Sequence, residues 1–159
     1  MRAGFTNHAL QKMLDADFKK LIQNAHLLEN EFIELLSNEG DNVYIPTRTS
    51  PFSDYDFSIN DVKYEIKLDN NMHKNNMMLC EFKSRGKDSA ISITKADYYG
   101  IKSGNTYYII PVKYIKDLIL NNKFKVIQTG YNKYSSCYLI SANNFKQYII
   151  KELIQELDF

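Results

Sequence analysis

The stretch DYDFSINDVKYEIK, residues 54–67, decides how the rest of the chain is read. Asn60-Asp61 sits near its middle, and both residues tolerate the positive φ that a two-residue hairpin turn requires. A turn there pairs Ile59 with Val62, Ser58 with Lys63, Phe57 with Tyr64 and Asp56 with Glu65, and sets Asp54 against Lys67. Side chains of a strand alternate between its faces. One face then collects Tyr55, Phe57, Ile59, Val62, Tyr64, Ile66 and Leu68. The other collects Asp54, Asp56, Ser58, Lys63, Glu65, Lys67 and Asp69. Segregation this complete specifies the register.

The same register puts two carboxylates, Asp56 and Glu65, directly opposite each other. Like charges so placed destabilise a strand pair, by about 1 kcal/mol at ~4 Å in water and about 4 kcal/mol at an effective dielectric of ~20. Two readings of what offsets this stay open. A divalent cation would do so, and carboxylates on rigid strands suit Mg²⁺, which prefers oxygen ligands and keeps several waters. Alternatively, Lys63 and Lys67 flank the acids on a solvated outer face. The tripeptide Glu65-Ile66-Lys67 is short, and Glu81-Phe82-Lys83, Asp17-Phe18-Lys19 and Asp61-Val62-Lys63 have the same form. It is set apart by the acid paired to it and by the apolar run that follows.

Outward from the hairpin, Phe18, Leu21, Ile22, Ala25, Leu28, Phe32, Leu35 and Leu36 recur at helical spacing, which predicts a helix over 15–39 stopped by Gly40, with a separate short helix over 7–14. Residues 42–46 read as a short strand. The continuous apolar run 77–82 predicts a central strand buried on both faces. Thr94 is placed to cap a short helix running to about Ser103. Gly104-Asn105 marks a turn, 106–111 a buried strand and 112–121 a helix. Strands near 124–128 and 136–140 and a final amphipathic helix over 142–157 complete the chain. Strand, helix and strand over 77–111 predict a parallel crossover. A single α/β domain with a mixed sheet flanked by helices follows.

The bulk numbers agree with one domain. The chain has 159 residues, 44% hydrophobic and 25% charged, and no apolar run approaches the ~20 residues of a membrane span. The N-terminus carries acids and no apolar leader core, which predicts a cytoplasmic protein. Cys80 and Cys137 lie inside apolar strand-like runs and read as buried reduced thiols. Net charge is +1, but residues 81–133 hold ten Lys or Arg against four Asp or Glu, while residues 1–40 hold four against six. A basic second half suits a polyanion partner. The three histidines, His8, His26 and His73, lack ligand spacing, so neither a histidine metal site nor a Ser-His-Asp triad is expected.

With these elements in place, the chain resembles the PD-(D/E)XK nuclease superfamily over roughly residues 25–115. Asp56, followed by apolar Phe57, resembles the acid of that family's second motif. Glu65 and Lys67, around apolar Ile66, resemble its (D/E)-x-K. Glu29, ahead of Phe32, Leu36 and Gly40, is similar to the helical acid of small junction-resolving members, with Glu31 and Glu34 as competitors. Tyr55 stands where the family's Pro is common. EIKLD, an apolar strand ending in Glu81, and SITKADYY also resemble small phage-encoded nucleases, in keeping with a chain rich in Asn, Lys, Ile and Tyr.

The resemblance implies a restriction-endonuclease-like αβββαβ core over about 15–121, with 122–159 as a C-terminal α/β extension. It implies Mg²⁺-dependent phosphodiester hydrolysis, with Mn²⁺ as a substitute, on branched or structured DNA in recombination, replication or repair, as in Holliday-junction resolvases, and a homodimer. Asp56, Glu65 and the Ile66 carbonyl would hold the metal, Glu29 would complete the catalytic set, and Lys67 would position the attacking water. The other reading of Lys67 is a cross-strand ion pair with Asp54. Asp69 supports the site from behind or is simply solvated, the latter being favoured. Glu81 flanks the metal or pairs with Lys83.

Lys74, Lys83, Arg85 and Lys87 follow the active strands and are candidate phosphate contacts. Lys123, Lys125, Tyr131, Lys133 and Tyr134 interleave charge with aromatics, as single-strand binders do. Two other functions stay open: a catalytically degenerate nuclease fold that only binds nucleic acid or a partner, and an ordinary α/β interaction protein.

Overall fold

The computed structural model describes residues 7–46 and 54–153. The chain divides into two compact units, one ending at Glu39 and the other beginning at Gly40. The first is carried by a single helix, α1 (Asn7–Leu36). The short helix expected over 7–14 is therefore the first part of α1, since no Pro or Gly interrupts the chain between them. Ser37 closes α1 by returning both its N–H and its hydroxyl to the Ile33 carbonyl. The side chains of Phe18, Leu21 and Ile22, assigned to the apolar stripe, lie outside the described residues.

The second unit holds β1 (Val43–Tyr44), β2 (Phe57–Ile59), β3 (Val62–Leu68), α2 (Asn70–Asn75), β4 (Met77–Ser84), β5 (Lys87–Asp88), β6 (Tyr98–Ser103), β7 (Thr106–Pro111), α3 (Val112–Asn121), β8 (Val126–Thr129), β9 (Ser135–Ser141) and β10 (Ile149–Glu152). These form an α/β unit with two sheets. Six strands run in the order β1-β2-β3-β6-β7-β10, mixed because β3 and β6 are parallel, and four antiparallel strands run β5-β4-β9-β8. One apolar core, including Met78, Cys80, Tyr99, Ile101, Ile110, Ile115, Ile140 and Phe145, draws residues from both sheets and from α3.

The hairpin turns where its sequence predicts. Asn60 and Asp61 take φ of +49° and +67°, and Phe57, Ser58 and Ile59 pair with Tyr64, Lys63 and Val62. Asn60 also fastens the preceding segment: its N–H donates to the Asn42 carbonyl and its side-chain oxygen accepts the Asn42 N–H, at 2.9 and 3.0 Å. The hairpin's polar face is graded: Ser58 is buried, Lys63, Glu65 and Lys67 are half-buried and Asp54 is exposed.

Four expectations are corrected. The run 77–82 belongs to β4, which is interior as expected but in the second sheet, between β5 and β9. Its burial alternates rather than being continuous, because apolar residues in a half-covered antiparallel strand give the same composition as a fully buried one. The helix expected from Thr94 to Ser103 is a short 3-10 turn (Ala90–Ser92) followed by β6. Thr94 Oγ1 does accept an amide, that of Ala96 at 3.1 Å, but closes a local turn with it. The parallel crossover expected over 77–111 is consequently not formed: β4 and β7 lie in different sheets, β7 pairs antiparallel with β6, and the parallel pair is β3 with β6, joined through α2, β4 and β5 in place of a crossover helix. Finally, the helix expected over 142–157 is a 3-10 segment (Ala142–Tyr148) leading into β10, which pairs with β7; residues 154–157 lie outside those described. The expected strands near 42–46, 124–128 and 136–140 correspond to β1, β8 and β9, and the expected helix over 112–121 is α3.

Candidate active site

The site is built on the edge where β2 leaves β3. The ladder ends at Phe57 and Tyr64. Asp56 still donates its N–H to the Tyr64 carbonyl at 2.9 Å, but its carboxylate then turns inward and accepts the Ile66 N–H at 2.7 Å. A side chain here replaces the backbone acceptor that the departing strand no longer supplies. Asp56 is therefore not simply opposite Glu65 as the ideal register has it. It reaches along β3 to the residue between Glu65 and Lys67.

On its other side β3 runs parallel to β6, with Glu65 beside Tyr99 and Lys67 beside Ile101. That register puts Glu65, Lys67, Tyr99 and Ile101 on one face. The face borders a cleft of about 210 Å³ between the sheets, lined by Lys67, Asp69 and Asn71, by Met78, Cys80 and Glu81 of β4, and by Tyr99 and Ile101. Lys67 Nζ lies 5.1 Å from the centre of the Tyr99 ring, a cation–π contact that holds the ammonium at the cleft wall. The ion pair considered between Lys67 and Asp54 is not formed; Asp54 pairs with Lys95 at 3.3 Å, and Lys63 lies over the Tyr55 ring.

Two buried polar atoms stand out: Glu65 Oε2 and the Tyr99 hydroxyl have no hydrogen-bond partner among the described residues. They belong to neighbouring residues on adjacent strands, close enough for the Glu65 carboxylate to act on the Tyr99 hydroxyl as a hydrogen-bonding group, though outside ordinary bond geometry. Burial first, and then the nearby charge of Glu65, push the Tyr99 phenol well above its ordinary range, so it stays protonated. An unpartnered buried carboxylate oxygen is costly, and a cation is one chemical species that would satisfy it. Among the described residues no three His, Cys, Asp or Glu side chains come together as a metal cluster. Mg²⁺ asks less of the protein than such a cluster, since it is held by one or two carboxylates and completes its shell with water. A zinc-like set of protein ligands does not fit.

Asp69 is half-buried, and both its carboxylate oxygens are taken up by backbone amides. Its Oδ1 caps α2 by accepting the amides of Asn71 and Met72 at 2.9 and 3.2 Å, and its Oδ2 accepts Leu79 N–H from β4 at 3.0 Å. Burial raises its pKa, against the lowering effect of these three amides. Glu81 reaches the cleft and accepts the Ser89 hydroxyl at 3.0 Å. Both cysteines are free and buried. Burial pushes the Cys80 thiol up to about 12, so it is no nucleophile near neutrality.

Glu29 lies on α1, in the other unit, with its Oε2 3.6 Å from His26 Nδ1. Lys74 is exposed in the last turn of α2, and Lys83, Arg85 and Lys87 are exposed on the β4–β5 hairpin. Lys123 and Lys125 are exposed ahead of β8; the Tyr131 side chain lies outside the described residues. Sequence reasoning missed Tyr99. Its signal is the Tyr-Tyr-Gly-Ile run, strand-like in composition but preceded by Thr94, whose capping position predicts a helix there.

No helix among the described residues is long and apolar enough to cross a membrane. Compared with protein-family models, curated proteins and solved structures, the chain matches none.

Proposed function

We propose that this chain is a metal-dependent deoxyribonuclease of the PD-(D/E)XK kind, acting on branched or structured DNA. The observation that carries the reading is the arrangement about Ile66: Asp56 bonded to its amide, Glu65 with a buried unpartnered oxygen, and Lys67 on the wall of a cleft. The mixed sheet supports it as well, since a parallel strand follows the acidic hairpin.

Asp56 and Glu65 would hold Mg²⁺, with the Ile66 carbonyl beside them. When bound, the ion polarises a phosphoryl oxygen and makes water more acidic. The chain's own residues do the rest. Lys67 presents a positive charge to the cleft, which favours the anionic form of an attacking water. Tyr99 holds that ammonium against its ring and, remaining protonated, keeps a hydroxyl available as a donor. A homodimer would place two sites for paired cuts.

The test is cleavage of labelled duplex, single-stranded, flap and four-way DNA in Mg²⁺, Mn²⁺ and EDTA. Wild type should cut at least one substrate in Mg²⁺ alone or Mn²⁺ alone and none in EDTA, and Glu65→Gln and Lys67→Ala should each abolish cutting. Cutting that survives both substitutions removes the assignment. A second reading, a nuclease-like fold that binds nucleic acid without cutting, draws on the small carboxylate set among the described residues. It predicts DNA binding with no cleavage under any metal.

A further inference from the structure

The β4–β5 turn and the segment before β9 are distant in sequence and meet in the fold. Arg85 and Gly86 make the turn with φ of +52° and +76°. The Arg85 N–H donates to the Tyr134 carbonyl at 3.0 Å, and its guanidinium lies 5.6 Å from the centre of the Tyr134 ring. Between them opens a shallow groove of about 630 Å³ lined by Arg85, Gly86, Gln128, Lys133, Tyr134 and Ser136. The Gln128 Oε1 accepts the Ser136 hydroxyl at 2.9 Å, which leaves its amide nitrogen as a donor. The lining therefore offers a guanidinium, an ammonium and an amide NH₂, and no carboxylate. Lys87 is exposed on the adjoining strand. Tyr134 is 49% exposed, far more than a ring serving the core.

We propose that this groove binds an unpaired nucleic-acid strand, with phosphates on Arg85 and Lys133 and a base against Tyr134. The inference rests on the nucleic-acid reading above and names which form of the polymer this second surface takes. Cations with no carboxylate beside them in the lining select a polyanion. An exposed aromatic beside them selects one whose bases have free faces, which a duplex lacks and a single strand has. The groove lies on the four-stranded sheet, so its lining shares no residue with the cleft beside Glu65. A branched substrate would supply both a strand to cut and an unpaired strand to hold.

Fluorescence polarisation of the full chain with a labelled single strand of about 20 nucleotides, in EDTA and between about 50 and 200 mM NaCl, tests it. Lys133→Ala should weaken binding and lower the salt slope by about 0.7, one phosphate's worth on a single strand. Arg85→Gln should do the same. Tyr134→Ala should weaken binding about tenfold at unchanged slope, and Tyr134→Phe should retain it. Far-UV circular dichroism establishes that each variant is folded. Wild-type affinity and slope in all three loss variants overturns the proposal, as does a duplex that binds as tightly and ignores Tyr134→Ala. Because EDTA silences hydrolysis, strand binding that depends on these residues in a protein without Mg²⁺ cleavage sinks the nuclease reading alone. Cleavage with indifferent groove variants sinks the groove alone.

Discussion

The bond from the Ile66 amide to Asp56 gives one carboxylate two duties, and substitutions separate them. Asp56→Ala leaves the amide without its acceptor, at a cost of about 1–3 kcal/mol. Asp56→Asn keeps an acceptor oxygen and removes the charge, so it should unfold near the wild-type midpoint in urea while losing cleavage in Mg²⁺. An active Asp56→Asn would take the acid out of the chemistry. Asp69 is a structural counterpart. Burial raises its folded pKa above the ordinary 3.8, so the native state holds its proton at pH values where the unfolded chain has lost it. Stability should therefore fall as pH rises from about 3.8 through the raised pKa, and level off above. Asp69→Asn should lack that slope when urea midpoints are measured across the window. The hairpin that carries Asp56, Glu65 and Lys67 was legible because alternation and one turn dipeptide are local facts. Asp69's three amides and the place of Tyr99 were not, since they come from α2, β4 and β6, which reach the site only through the fold.

Among the elements, the β6–β7 hairpin shows a backbone constraint most plainly. Gly104 takes φ +57°, and a Cβ there would come within 2.8 Å of the His73 ring on α2. His73 is anchored by its own N–H, which donates to the Ser103 hydroxyl at 2.8 Å. Gly104→Ala should thus cost about 1–3 kcal/mol, seen as a lower urea midpoint at unchanged m-value. Adding His73→Ala should restore the part due to the clash and leave the backbone part, a coupling that a double-mutant cycle reads directly. Hairpin, α3 and β7 could be read from sequence because their partners or their periodicity lie close along the chain. The segments 98–103 and 149–152 were read as helix, since a capping threonine and helically spaced apolar residues are present there. β6 pairs with the adjacent β7, but its other partner β3, like β10's partner β7, lies roughly 30 or more residues away in sequence, and sheet pairing at that range overrides local preference.

At the scale of the whole molecule, a cation held by Asp56 and Glu65 should be visible without any DNA. An ion that binds the native state and not the unfolded chain stabilises by RT ln(1 + [L]/Kd), about 2.7 kcal/mol at ~100 times its Kd. In a chain of this length about 1 kcal/mol moves the melting temperature by roughly 2–4 °C. Saturating Mg²⁺ should then raise the melting temperature by about 5–10 °C over EDTA. Glu65→Gln gives its buried oxygen position a neutral amide, so it should melt no lower than wild type in EDTA and gain little from Mg²⁺. Lys67→Ala should keep the metal response, because it removes a positive charge and no ligand. Calorimetric scans of the three proteins in MgCl₂ and in EDTA give the comparison. Equal shifts in wild type and Glu65→Gln would mean that the ion binds elsewhere, and no shift in wild type at any concentration would leave the unpartnered carboxylate to some other occupant.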